Sequence, residues 1–234
     1  MLEVKILEQP NDVTCGPTSL HAVYHYLGEH IGLSDVISSV TNLEDGGTLA
    51  VFLGLDALRR GFQAQIHSYN LKILDPSWRS LPNEAIIQKL KDQLKYKTGK
   101  RFRTRSEAYI EFLEAGGSFL FEDLTYELLR RYFDRRLPIL AGLSATYLYD
   151  SVREYTNQND QSVFDDLKGE PMGHFVVLCG FEDGLVIVAD PYTRNPISGQ
   201  NYYKVGLNRL MNAIMLGTVT YDANLLILSP QASP

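Results

Sequence analysis

The sequence predicts an α+β fold in which a helical N-terminal half packs on a mainly antiparallel β-sheet drawn from the second half, with a helical insertion between them. Three observations predict it. Apolar residues recur at helical spacing from Cys15 to Leu27 and again from Thr48 to Arg60. From Leu137 the period changes, and "LPILAGLSA", "GHFVVLCGF" and "GLVIVADPY" are short β-rich runs separated by turn residues. The 234 residues hold no repeats, no low-complexity tract and no clean linker. One domain is therefore expected over 1–234: residues 1–70 carry the first helices, 71–136 the insertion and 137–234 the sheet half.

Taken in order, "EVKIL" at 3–7 reads as a short strand, and Pro10 with Asn11-Asp12 as a turn. A helix follows from about Cys15, with Pro17 suited to its first turn and Gly28 to its end. Ser34 is the expected cap of a second helix, and Thr48 of a third that stops at Gly61. "FQAQIHSY" alternates like a half-buried strand. Helices are expected near 83–96, 105–115 and 123–135, with Ser106 and Asp123 as caps and "AGGS" at 115–118 as a break. After the β-rich runs, "RLMNAIML" reads as a late helix and "NLLIL" as a closing strand.

Apolar residues make up 44% of the chain and charged residues 21%, a composition that buries a full core. No apolar run approaches the roughly 20 residues a membrane-spanning helix needs, and "MLEVKILEQP" lacks a signal pattern. The expectation is a soluble, cytoplasmic protein. A net charge of -6 argues against nucleic acid as a partner. Charge is segregated: residues 89–105 hold eight Lys or Arg against one Asp, and 150–170 hold six acids against Arg153 and Lys168. These read as a solvated helix face and a solvated loop, or as two flaps of opposite sign beside a cleft. Two cysteines without an export signal suit free thiols.

Cys15 falls at a helix N-terminus, where the peptide dipoles favour an anion, although a lone cysteine there is also a common buried residue. A base is the next requirement, and of the five histidines His174 has the fitting place, at the start of an apolar strand behind Gly173. Asp190 follows sixteen residues later, after a turn at "EDG" and a second strand. A hairpin of that size returns the chain to its starting level, where the acid could orient the ring. Gln9, six residues before Cys15 across a polar turn, supplies a side-chain amide of the kind that stabilises an oxyanion.

"QPNDVTCGPTSL", followed downstream by "GHFVVLCGF" and "ADPY", resembles the papain-like cysteine peptidases of the bacteriocin-processing, double-glycine leader peptidase type. "GGTLAVFLGLDALRRGF" and "RRLPILAGLSA" extend the resemblance over about residues 5–65 and 135–228. It implies a papain-like fold and a peptidase with Cys15 as nucleophile, His174 as base, Asp190 as orienter and Gln9 as oxyanion donor. It also implies a peptide or protein substrate, and neither cofactor nor metal. The histidine-to-aspartate region resembles that of phytochelatin synthases as well, which leaves acyl transfer open beside hydrolysis. A non-catalytic peptide-binding module on the same scaffold is a third reading.

His21, His25 and Glu29 share one helix at four-residue spacing, as a metal site would need, but nothing else completes a zinc ligand set around them. Cys179, five residues after His174 on one strand, falls on the opposite face and reads as core. The tyrosines at 147, 149, 192, 202 and 203 are candidates for a substrate groove or for packing.

Overall fold

The computed structural model describes residues 1–43, 46–156, 162–220 and 223–231. Its elements in chain order are α1 (Cys15–Tyr26), α2 (Leu33–Ser39), α3 (Ala50–Arg59), β1 (Phe62–Ser68), α4 (Asn83–Gln93), α5 (Lys100–Glu114), β2 (Ser118–Leu120) and α6 (Tyr126–Asp134). They continue with β3 (Ile139–Ser144), α7 (Ala145–Tyr149), β4 (Glu154–Thr156), β5 (Ser162–Phe164), β6 (Gly173–Glu182), β7 (Leu185–Ala189), β8 (Tyr202–Gly206), α8 (Leu207–Leu216) and β9 (Asn224–Pro230). Seven strands form one sheet in the order β2-β1-β9-β3-β6-β7-β8. Every pairing in it is antiparallel except β1 with β2. The α+β expectation holds, and the segment expected as a helical insertion adds β2 to the edge of the sheet.

Alternation along the strands builds a core on each face of the sheet. Phe175, Val177 and Cys179 of β6 join Leu20 of α1, Leu53 of α3 and Phe112 of α5 on one face. Val176 and Leu178 join Ile139 and Leu143 of β3, Leu129 of α6 and Leu210 of α8 on the other. On the first face Tyr24 of α1 donates to Asp56 of α3 at 2.8 Å, and Arg60 Nε donates to the same oxygen at 2.8 Å. That buried knot fixes the far end of α1, while Ser19 Oγ donates to the Phe175 carbonyl at 3.0 Å near its start.

Local expectations divide by where their hydrogen bonds go. Residues 3–7 alternate between buried and exposed as a strand would, but they make no ladder. Instead Leu2 N donates to Cys179 O, and Tyr202 Oη accepts from Ile6 N while donating to Val4 O. Ser34 lies inside α2, whose flanking residue is Gly32; Thr48 turns its hydroxyl to Thr41 O and leaves Leu49 before α3. Ser106 is buried within α5, which begins at Lys100 behind Gly99, and Thr125 rather than Asp123 caps α6 by accepting from Leu128 N. Gly28 takes φ +92° just past α1, as a helix terminator should.

The basic stretch 89–105 spans the end of α4 and the start of α5, with exposed ion pairs such as Lys91–Glu114 and Arg103–Glu107. The acidic stretch carries the β4–β5 hairpin, and its residues 157–161 lie outside the described residues. Among the described residues no helix is long and apolar enough to cross a membrane.

Candidate active site

Residues 11–14 shape the start of α1. Asn11 Oδ1 accepts from Val13 N, and Thr14 Oγ1 both accepts from Asn11 N and donates to Asn11 O. Thr14 flanks the helix with its hydroxyl turned backwards, so α1 has no side-chain cap. The N–H groups of Cys15 and Gly16 are then among those a helix leaves without an internal partner. Cys15 is half-buried at this end, and both cysteines are free thiols.

Gly16 lets α1 reach β6. A Cβ there would stand 2.5 Å from Thr48 Cγ2 and 3.2 Å from the Phe175 ring. Phe175 adjoins His174, so this contact and the Ser19–Phe175 bond bring the helix start to the start of β6.

β6 and β7 meet at Asp183-Gly184, both with positive φ (53° and 78°), the two-residue hairpin turn that Asp-Gly favours. The returning strand delivers Asp190 beside His174, and Nε2 of the ring lies 2.8 Å from Asp190 Oδ1. Cys15 stands near enough to the ring to favour its charged form. Burial works against a charged imidazole, but the charges of Asp190 and Cys15 and the hydrogen bond to Asp190 overcome it and raise His174 to about 10. Burial likewise opposes the Asp190 carboxylate. His174 and the surrounding donors outweigh it and hold Asp190 below the usual carboxylate range.

Gln9 reaches the same corner through its main chain, its N–H donating to Pro191 O at 2.9 Å. Its side-chain Nε2 donates to Asn11 O at 2.9 Å, and its Oε1 is buried without a partner. Thus His174 is hydrogen-bonded to Asp190 with Cys15 close by, and Gln9 stands beside the turn after Asp190.

The other candidates lie apart from that group. Cys179 is buried on the opposite face of β6, where burial pushes its thiol up to about 12. The His25 ring lies 4.9 Å from that of His21, tilted, and 5.0 Å from that of His30, edge-on, and no cluster of metal-binding side chains occurs among the described residues. An apolar recess of about 340 Å³, lined by Leu74, Phe121, Leu124 and Met211 among others, includes none of the four predicted site residues.

Tyrosines supply what sequence patterns left undivided. Tyr149 and Tyr203 donate to Asp190 Oδ2 at 2.7 and 2.8 Å. The Tyr192 ring stands 6.5 Å from that of His174, Tyr202 holds the N-terminal segment, and the exposed Tyr147 hydroxyl accepts from Asn212. Asn201 was not foreseen: its Nδ2 donates to Asp190 O, and its carbonyl accepts from Asp190 N.

The family model described as the Peptidase_C39 like family matches residues 1–213. No curated protein matches the chain. Among solved structures the chain is similar to a protein from Bacillus anthracis described as a C39-like peptidase, at 14% identity over 100% of this chain and 98% of that one, with a TM-score of 0.48. It is also similar to the peptidase domain of Streptococcus ComA, a bi-functional ABC transporter of a quorum-sensing pathway, at 14% identity over 98% and 100%, TM-score 0.44. A third is a double glycine motif protease from an AMS/PCAT transporter in complex with the leader peptide, at 15% identity over 98% and 94%, TM-score 0.45.

Proposed function

The chain belongs to the peptidase C39-like family, and from that premise we propose that it is a cysteine peptidase working through Cys15, His174, Asp190 and Gln9. One observation carries this reading: His174 is hydrogen-bonded to Asp190, and Cys15 stands near enough to favour the charged ring with it. The thiol proton passes to His174, and the Cys15 sulfur attacks a peptide carbonyl carbon. The oxyanion that forms is held by the Cys15 N–H and by the second amide proton of Gln9. His174 then gives its proton to the leaving amine as the C–N bond breaks, which leaves a thioester on Cys15. Water attacks the thioester with His174 as base, releasing the acid and restoring the thiol. Asp190 keeps the ring in place and balances its charge through both steps.

The substrate in this reading is a peptide, with the residues around the scissile bond left to the test. The test is cleavage of a peptide panel that includes Gly-Gly sequences, followed by mass spectrometry. Cys15→Ala should abolish all cleavage and Cys179→Ala should leave it intact. The reverse pattern would overturn the proposal.

A further inference from the structure

We infer that Tyr149 and Tyr203 are positioning residues that set the basicity of His174 by occupying the second oxygen of Asp190, an inference that rests on Cys15 and His174 being the working pair. The four donors to the Asp190 carboxylate divide evenly. Oδ1 accepts from His174 Nε2 at 2.8 Å and from Tyr192 N at 2.8 Å; Oδ2 accepts from the Tyr149 and Tyr203 hydroxyls at 2.7 and 2.8 Å. The carboxylate is wholly buried, so without the phenols Oδ2 would be an anionic oxygen with neither water nor partner.

The two phenols arrive from separate elements. Tyr203 is set by strand register, opposite Val188 and one strand over from Asp190's own. Tyr149 closes α7, which is tied down by Arg209 of α8 donating to the Leu148 and Tyr147 carbonyls at 2.9 and 2.8 Å. Burial, and then the Asp190 charge, push both phenols far above their ordinary value, so each remains a donor at any working pH.

Donors at Oδ2 draw negative charge toward that oxygen and away from Oδ1, which weakens the hold of Asp190 on a protonated His174. The phenols therefore hold His174 below the basicity a bare Asp190 would give it, so the ring can still release its proton to the leaving amine. They also stop the carboxylate from rotating, which keeps Oδ1 aimed at Nε2. The Tyr149 ring lies 6.0 Å from the His174 ring and feels the charge of Cys15, so this support sits directly against the reacting groups.

The experiment is the rate of Cys15 alkylation by iodoacetamide against pH, together with peptide cleavage, in wild type, Tyr149→Phe, Tyr203→Phe and the double variant. His174 loses its proton at the alkaline step of the alkylation profile. Removing both hydroxyls should move that step to higher pH by roughly one unit. Cleavage should fall about tenfold or more per hydroxyl, in the range found when a partner behind a reacting group is lost. A phenol that only packs would lower the rate and leave the step in place, and that result overturns the inference. Should Tyr203→Phe fail to fold, Tyr149→Phe, whose ring is half-buried, carries the same test. His174→Ala separates the two levels. If it leaves the wild-type profile unchanged, the Cys15–His174 reading falls and this inference with it. If it alters the profile while the tyrosine variants do not move the step, only the inference falls.

Discussion

Gln9 and Cys15 meet the turn at 11–14 from opposite sides, and the amide of Gln9 is held there by one bond to Asn11 O. Its buried Oε1 has no partner, so the amide carries an uncompensated cost. On the proposed mechanism Gln9→Ala should lower cleavage about 10²–10³-fold, the effect of losing one oxyanion donor. The rate of Cys15 alkylation, which forms no oxyanion, should stay at the wild-type value. A parallel fall in both would show that Gln9 shapes the thiol instead. At this scale the sequence was legible where chain distance was short or a hairpin enforced the return, as for His174 and Asp190. Tyr149 is 41 residues from Asp190 and Tyr203 is 13 residues away on a strand no pattern announced, so their shared hold on one oxygen had no local signature.

Whole elements matter through one contact, the docking of α1 on β6. Gly16 is there because a side chain would collide with Thr48 Cγ2 and press on Phe175. Gly16→Ala should drive the start of α1 away from His174, lowering both the melting temperature and the Cys15 alkylation rate at neutral pH. The cost is of the order of 1–3 kcal/mol, typical of overpacking. Thr48→Ser deletes the obstructing methyl and keeps the hydroxyl that donates to Thr41 O. The double variant should recover much of the loss in calorimetry and in alkylation; no recovery would mean that Phe175 alone sets the limit.

The same scale separates what periodicity could reveal from what it could not. α1, α3 and β6 followed from the spacing of their apolar residues, since burial alone selects those patterns. The caps at Ser106 and Asp123 failed because tertiary packing buried the first, and a threonine two residues on satisfied the helix instead of the second. β2, a three-residue strand directly after Gly116-Gly117, gets its identity from pairing with β1 and carries no period of its own.

For the molecule as a whole, the two buried histidines of the sheet, on strands β1 and β6 with β9 and β3 between them, pull stability in opposite directions along the pH axis. His67 is fully buried on β1, its Nε2 2.6 Å from the Tyr132 hydroxyl. Burial lowers it from 6.5 to about 4, with Glu122 opposing and Arg131 assisting. The unfolded chain therefore binds a proton that the folded chain refuses, so stability falls as pH drops from 6.5 toward 4. His174 is the reverse case: raised to about 10, it contributes stability that is complete below 6.5 and is lost as pH rises through its folded value. The maximum should then lie near pH 6.5. Asp56 and Asp190 stay outside this window, because carboxylates held below their ordinary range lose their contribution only as pH falls beneath it. His67→Gln can still face Tyr132 but cannot titrate, so urea unfolding from pH 6.5 to about pH 4.5 should show a flattened acid limb. The difference from wild type should approach roughly 3 kcal/mol near pH 4, the value of a fall from 6.5 to about 4 in one group. If the variant loses stability as steeply as wild type, His67 is already protonated in the folded protein, and the acid limb belongs to other groups such as His21, which burial also lowers.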